Sequence, residues 1–391
     1  MRRIEVVAWM GYITFAMGFT ALSAALPFLR GWLHTGYATL SFLLLAWALG
    51  NTVGYFGANA LVDRIGSPRI LRVGLLAFGA GYVVLIFAHV LIIWLAVLAL
   101  VGMGVSLIDV ASARLVAHLH RPEPGRALNR LNVFFGLGAI LGPLAMSVSL
   151  KLVDSPVPVF LILVAFAALS LWMLGTLMTI PFQVAVGAVG PKPAPIWHVP
   201  WVWRLGLATF LYIAAEVGFG TWVSPFAFRE AHVSAAIAAL FPMVFWGGLM
   251  VTRIIASAPG NRLALGGILI GGSIAGAAMS VLALVLSHWA IALLAAAFLV
   301  GASFGPMFPL FLAVASQRAP DREGSVYAVL YIAVALASLL VPWGEGQIFS
   351  RVPYLTVAIT PAVSLVMAVV LWHDGQANQA PGARSIPDGS G

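Results

Sequence analysis

The chain has 391 residues, of which 62% are hydrophobic and only 8% charged, and its mean hydropathy of +1.04 excludes a water-soluble globular domain. It contains no cysteine, which excludes disulfides, thiolate chemistry and cysteine-ligated metals. A net charge of +8 suits a nucleic-acid partner or a membrane orientation signal, and the positions of the charges decide between them.

Apolar runs long enough to span a bilayer as helices recur near residues 6–28, 37–61, 70–90, 92–117, 127–150, 157–181, 201–226, 235–257, 263–286, 289–316, 325–349 and 354–373. The alternating pattern of a membrane barrel is absent. The expected fold is therefore all-α, with about 12 transmembrane helices. With the amino terminus in the cytoplasm, every Lys and Arg except Arg30, Lys151, Arg229 and Arg351 falls on the cytoplasmic side. That asymmetry is the positive-inside rule, so the basic balance reports orientation and no nucleic acid is expected. The reading is a multi-pass protein of the cytoplasmic (inner) membrane, surrounded by lipid, with both termini in the cytoplasm.

The first run lies in "MRRIEVVAWMGYITFAMGFTALSAA", which has the basic head and apolar body of a cleavable signal peptide. Against cleavage, Tyr12-Ile13 and Gly18-Phe19 recur 200 residues later as Tyr212-Ile213 and Gly218-Phe219, so the run repeats a helix from mid-chain and belongs to the fold. After the second run comes "NALVDRIGSPRI", where Asp63, Arg64 and Gly66 form a charged turn with a helix breaker. The fourth run carries Asp109, flanked on its face by Ser106 at i−3 and Ser112 at i+3. Counting along the helix places it roughly 12 Å from the cytoplasmic end. Arg114, at i+5, points elsewhere and is near enough to the cytoplasm to snorkel. The fifth run brings Asn132 and Phe135, then Gly138, Gly142 and Pro143, which allow close helix approach and a bend. The prolines and glycines of "QVAVGAVGPKPAPIWHVP", residues 183–200, read as a cytoplasmic linker.

The seventh run holds "FLYIAAEVGFGTW". Its Glu216 shares a narrow polar face with Thr209, Tyr212 and Gly220, as a cavity wall would, and lies roughly 22 Å from the cytoplasmic end. An acid at that depth costs roughly 2.5–3.5 kcal/mol on insertion scales, so it needs a partner, a proton or a water-filled cavity. Trp222, at i+6, joins the face only if Gly218 and Gly220 unwind the segment; taken alone it reads as an interfacial anchor. Glu345, just after Pro342 in the eleventh run, falls near the outer surface and reads as a solvated helix-end acid. The segment after His373 reads as disordered.

Val101-Gly102 and Pro143 match Val300-Gly301 and Pro342 at nearly the same displacement. The chain thus divides into homologous six-helix halves, 1–182 and 201–373, joined by the linker 183–200 and followed by a cytoplasmic tail, 374–391. Because six is even, the halves enter the membrane from the same side and are related by an axis along its normal.

Two six-helix halves, a central linker and basic loops after the second and fourth helices resemble the major facilitator superfamily over nearly the whole chain. Within it, "GMGVSLIDVASARLV", "RALNRLNVFFGLGAILGPL" and "YIAAEVGFGTW" look like the fourth, fifth and seventh helices of the fucose-permease-like branch. The resemblance implies alternating access. It makes Asp63, Arg64 and Gly66 a cytoplasmic gating latch, and Tyr212, Trp222, Asn132 and Phe135 candidate substrate-binding residues. The latch loop departs from the pattern at Asn59, which stands for a glycine, and departures at Ala113 and Asn132, where the pattern has an amide and a histidine, keep sugar specificity from being carried across.

Asp109 and Glu216, in different halves and at different depths, read as two proton-coupling stations. The competing readings are an ion pair of Asp109 with Arg126 or Arg130, and a protonated Glu216 bonding a neighbouring helix. The expected function is a proton-coupled secondary active transporter, a monomer with no cofactor or metal, that moves a small organic solute such as a sugar; sodium in place of the proton stays open. The alternatives are a proton antiporter exporting an amphipathic or aromatic compound and a non-transporting membrane sensor. An enzyme is not expected, because no nucleophile and base, no metal-ligand spacing among the eight histidines and no phosphate-binding loop can be assembled.

Overall fold

The structure, a computed structural model, describes residues 2–120, 124–175, 196, 198–256 and 265–379. Its first half comprises α1 (Arg2–Trp32), α2 (Tyr37–Ile65), α3 (Ser67–Phe87), α4 (Leu91–Leu119), α5 (Pro124–Val153) and α6 (Val157–Gly175). The second comprises α7 (Pro200–Glu230), α8 (Ala235–Ala238), α9 (Leu240–Ala256), α10 (Leu265–Val285), α11 (Ala290–Phe304), α12 (Met307–Arg318), α13 (Glu323–Phe349) and α14 (Pro353–Gln379). Together they supply 12 apolar spans, α8 with α9 and α11 with α12 each forming one. All regular structure among the described residues is helical, as a bilayer demands of a chain that must bond its own backbone.

The tenth span, expected as one helix, is interrupted between Phe304 and Met307. Pro306 has no N–H to continue the backbone ladder, and its ring crowds the preceding turn. A different device separates α2 from α3. Gly66 takes φ 84° and ψ 149°, a conformation that is essentially glycine-only, and α3 starts at the next residue with a proline in its first turn.

Helices in lipid gain little from burying apolar surface against one another, so they associate where small residues let backbones meet. Gly50 of α2 lies on the Ala99 carbonyl of α4, and Gly102 of α4 on the Trp47 carbonyl of α2. The same exchange recurs in the second half, where Gly248 of α9 meets the Phe298 carbonyl of α11 and Gly301 meets that of Phe245. The two halves are thus repeated in packing as well as in sequence. In α5, a Cβ on Gly138 would stand 2.9 Å from the Ile13 Cα of α1, and one on Gly142 would stand 2.6 Å from the Thr20 hydroxyl.

An even number of spans puts Arg2 and Gln379 at one end of the bundle, the termini end. The described hydrogen bonds between the halves lie at the opposite, far end. There the Gln347 amide of α13 donates to the Ala38 carbonyl (2.8 Å) and the Ser41 hydroxyl (2.9 Å) of α2, and the Ser224 hydroxyl of α7 donates to the Ala24 carbonyl of α1 (3.3 Å). Tyr37 of α2 packs edge-on to Trp222 of α7 and Phe349 of α13. Halfway along, Trp246 of α9 meets Phe19 and Phe135 at 6.4 and 6.2 Å. Toward the termini end the described ion pairs stay within a half: Glu5 with His120, and Asp374 with Arg204 and Arg318.

The last of these pairs extends α14 beyond His373, where a disordered tail is expected. Asp374 is buried, accepts a hydrogen bond from Arg318 of α12, and lies 3.7 Å from Arg204 of α7, so the helix runs on to Gln379. Residues 380–391 of the expected tail, and the expected linker except Ile196 and 198–200, lie outside the described residues; Pro200 already begins α7.

Gly138→Ala is expected to lower stability by about 1–3 kcal/mol, since its methyl group enters the α1 backbone. Gly267→Ala, with nothing within 4 Å, is expected to leave stability unchanged. Melting temperatures in one detergent check this, and equal shifts for both variants would refute the close contact.

Candidate functional site

In the first half the site forms around Asp109. The glycine contacts that draw α2 against α4 bring Tyr55 beside it, and α1 brings Tyr12. Tyr12 donates its hydroxyl hydrogen to Oδ1, and Tyr55 donates to Oδ2. Ser106, expected to share the acid's polar face, instead donates to the Met103 carbonyl at 2.8 Å, and the Ser112 hydroxyl is buried without a partner. The expected alternative of an ion pair with Arg130 is not formed: Arg130 is exposed, and the groups acting on Asp109 are the two tyrosines. The side chain of Arg126 lies outside the described residues. From the other half, the phenol of Tyr331 on α13 is within electrostatic reach of Asp109. That side chain is 53% exposed, its ring edge-on to Phe308 at 6.0 Å.

In the second half Glu216 is 6% exposed. Arg253 of α9 is within electrostatic reach of it, and the Tyr212 hydroxyl, one turn away on the same helix, is buried without a hydrogen-bond partner. Arg253 has a second attachment, donating from Nε to the Gly305 carbonyl at 2.9 Å, where the tenth span is broken. One guanidinium therefore bonds the interruption between α11 and α12 while lying within electrostatic reach of the buried acid of α7. The expected cavity wall is packed. Tyr212 is fully buried among Phe304, Phe308 and Phe311 at 5.7–6.5 Å, Thr209 turns back to the Leu205 carbonyl, and Gly220 lies against Phe245.

Trp222 is no interfacial anchor. It is fully buried, donates from Nε1 to the Pro342 carbonyl at 3.0 Å, and stacks on Phe349 with centroids 5.0 Å apart. The absent side chain of Gly346 makes room for it, so Trp222 belongs to the closed far end. Phe135 sits between the halves, against Phe15 and Trp246. Asn132, one turn nearer the termini end, is exposed and donates to the Leu128 carbonyl of its own helix. Gly136 shares its face and lies against Met250 of α9, so Asn132 looks toward the opposite half. Thus Asn132 and Phe135 lie on the face between halves, Trp222 lies in the far-end junction of the halves, and Tyr212 is enclosed in the second; the four do not line one cavity. Of the expected latch, Arg64 is exposed at the end of α2 and Gly66 makes the turn, whereas the side chain of Asp63 lies outside the described residues.

Glu345 departs furthest from expectation. It is 3% exposed, not solvated, and neither carboxyl oxygen has a hydrogen-bond partner. Sequence reasoning also passed over Tyr12, Tyr55 and Arg253 as partners of the acids. The one signal for them was that Tyr12 and Tyr212 mark equivalent places in the repeat.

A family model described as Major Facilitator Superfamily matches residues 8–342. Sodium-dependent glucose transporter 1 of Xenopus laevis is 23% identical over 378 residues, covering 87% of this chain and 74% of the relative. The human protein of that name is 22% identical, covering 85% and 70%. A glucose/galactose transporter of Brucella abortus is 28% identical over 218 residues, spanning 51% of this chain and about half (53%) of that protein. Among solved structures, a D-xylose-proton symporter superposes with a TM-score of 0.80 at 15% identity, covering 95% of this chain and 97% of that one. The inward-open xylose transporter XylE from E. coli gives 0.74 at 14%, covering 94% and 95%. These two establish the likeness of fold.

Tyr55→Phe keeps the ring and removes one donor to Asp109, so it is expected to lower stability by about 1.5–3 kcal/mol. In an Asp109→Asn background the same change is expected to cost clearly less. A double-mutant cycle on melting temperature measures the difference, and strictly additive losses would rule the contact out.

Proposed function

The chain belongs to the major facilitator superfamily, and we propose that it is a proton-coupled secondary active transporter moving a sugar or related small solute across the cytoplasmic membrane by alternating access. It is a transporter and not an enzyme. The observation that carries the coupling is the distribution of the acids: each half holds a carboxylate at membrane depth, one under two tyrosine hydroxyls and the other buried within electrostatic reach of an arginine. Between them, Phe19, Trp47, Phe135 and Trp246 form an aromatic junction contributed by both halves. Flat, rigid rings with a few convergent polar groups suit the apolar faces of a pyranose, and the relatives named above are glucose, galactose and xylose transporters. Asn132 and Phe135 lie beside this junction. Tyr212 and Trp222 act from behind it, through Glu216 and the far-end closure.

The acids divide the work. Protonating Asp109 adds a donor to one of its oxygens and weakens that oxygen as an acceptor, so the phenol facing it is better placed to accept than to donate. Protonating Glu216 removes the charge that faces Arg253, which loosens the electrostatic tie from α7 to α9 and the Gly305 carbonyl. With both termini in the cytoplasm, the closed far end is the outer gate. Asp63, Arg64 and Gly66 then stand at the cytoplasmic latch, and residues 183–200 link halves 1–182 and 201–373.

Sodium is the second reading, because three relatives are named sodium-dependent. The donors around Asp109 favour the proton: they present hydrogens to the carboxylate, whereas a hard cation is surrounded by oxygens. Uptake of labelled glucose, galactose and xylose into proteoliposomes, driven by a proton gradient or a sodium gradient, decides between the ions. Uptake driven by neither gradient, for any sugar, would overturn the proposal.

Glu216→Gln keeps shape and removes the charge. It is expected to fold and to exchange solute in counterflow, yet to let the inside and outside concentrations become equal under a proton gradient. Glu216→Ala is expected to lose exchange as well. Asp109→Asn is expected to lose accumulation with counterflow retained. A Glu216→Gln protein that still concentrates its solute in response to pH would remove Glu216 from the coupling.

A further inference from the structure

Glu345 is a buried acid that the mechanism above does not use. It shares a turn of α13 with Gly346 and Gln347, the residues that close the far end against α2. Its own carboxyl group turns the other way, toward α7. There it occupies space left by Gly218: a Cβ on that glycine would stand 2.6 and 2.7 Å from the two carboxyl oxygens. Thr356 of α14 donates to the backbone carbonyl of Glu345 at 3.4 Å, not to the carboxyl group.

The titratable groups on the surrounding helices are accounted for elsewhere. On α7, Glu216 faces Arg253 and Tyr212, and Arg229 pairs with Glu230 at 3.8 Å. On α14, Tyr354 meets His288 at 3.2 Å, and Asp374 pairs with Arg318 at the termini end. On α2, Tyr37 lies under Arg30, and Tyr55 bonds Asp109. None of these acts on Glu345. A carboxylate in that position would be a buried, uncompensated charge, whereas a neutral acid forfeits only hydrogen bonds. The bare Cα of Gly218 offers no oxygen to a metal cation.

We propose that Glu345 is a proton-binding site behind the far-end gate, holding a proton while that end is closed and releasing it to water when the end opens. One proton leaves the carboxyl oxygen, the carboxylate keeps the electron pair, and no co-reactant is needed. The closed state binds the additional proton, so by linkage acid favours closure and alkali favours opening. The gate residues and the acid occupy one helical turn, so motion of α13 away from α2 and α7 exposes the carboxyl group as it breaks the Gln347 contacts. The inference rests on the alternating-access reading and is independent of which solute is carried.

The absence of cysteine permits a direct test. Gly36→Cys and Val352→Cys place spin labels on exposed positions at the far end, one in each half. The full-length protein in lipid nanodiscs is then measured by electron–electron distance spectroscopy from acidic to alkaline buffer. The parent pair is expected to be short in acid and to gain a long component as pH rises. Glu345→Gln is expected to hold the short distance throughout. Glu345→Leu, which leaves no unpartnered amide, serves as a second neutral variant should Gln destabilise the fold, with the same expectation. An undiminished pH response in the neutral variants overturns the assignment of Glu345, and so does separation that follows the transported sugar but not pH. Separation that tracks sodium at fixed pH and vanishes in Glu345→Gln overturns the proton as its ligand. A pair that never separates, with pH, sodium or sugar, overturns both this inference and alternating access.

Discussion

A charge without a partner in hydrocarbon costs more than most helix contacts return, and the arrangement of this protein's interior follows from that constraint. Asp109, Glu216 and Glu345 illustrate it. Asp109 meets two phenol hydrogens, Glu216 has a guanidinium within electrostatic reach, and Glu345 has neither. Each partner comes at a structural cost, because Tyr12, Tyr55 and Arg253 must be held in place by helices packed closely enough to present them. The glycines that join α2 to α4, and α9 to α11, do that work where dispersion between apolar side chains would not distinguish one register from another.

The halves share this scaffold and differ in what they mount on it. Tyr12 and Tyr212 are 200 residues apart, and Asp109 and Phe308 are 199 apart. In the first half the tyrosine donates to the acid; in the second its ring lies stacked 6.5 Å from the phenylalanine. The acid of the second half sits instead on α7, one turn beyond its tyrosine. Two copies of one packing solution thus carry ionisable groups on different helices, so neutralising one leaves the other's surroundings unaltered.

Much of this organisation was legible in the sequence, for reasons that also mark the limit. The length and apolarity of each run specify a span without reference to any neighbour, and the recurrence of Tyr12 at Tyr212 specifies two halves. Partners are a different matter. Asp109 could be read against Ser106 and Ser112 because they share its helix, yet the tyrosines that hold it are 97 and 54 residues away. The serine hydroxyl at i−3 was already committed to its own backbone, as it commonly is within helices. Trp222 looked like an anchor because an aromatic near a helix end usually meets the interface; the carbonyl that claims it lies in α13. Glu345 was placed near the surface by counting residues, which gives depth but not cover. Its cover comes from α7, where Gly218 leaves the carboxyl group its space, and a contact between distant helices is not legible in either one alone.

The interrupted tenth span ties two positions together over evolutionary time. The carbonyl of Gly305 is met by the Arg253 guanidinium, and a Cβ at Gly305 would collide with the backbone around Leu249 and Arg253. Losing the arginine leaves that carbonyl short of its donor, and enlarging the glycine pushes the donor's helix away. Drift at either site is therefore filtered by the residue at the other, and across descendants of this chain the glycine and the arginine should be kept or replaced as a pair.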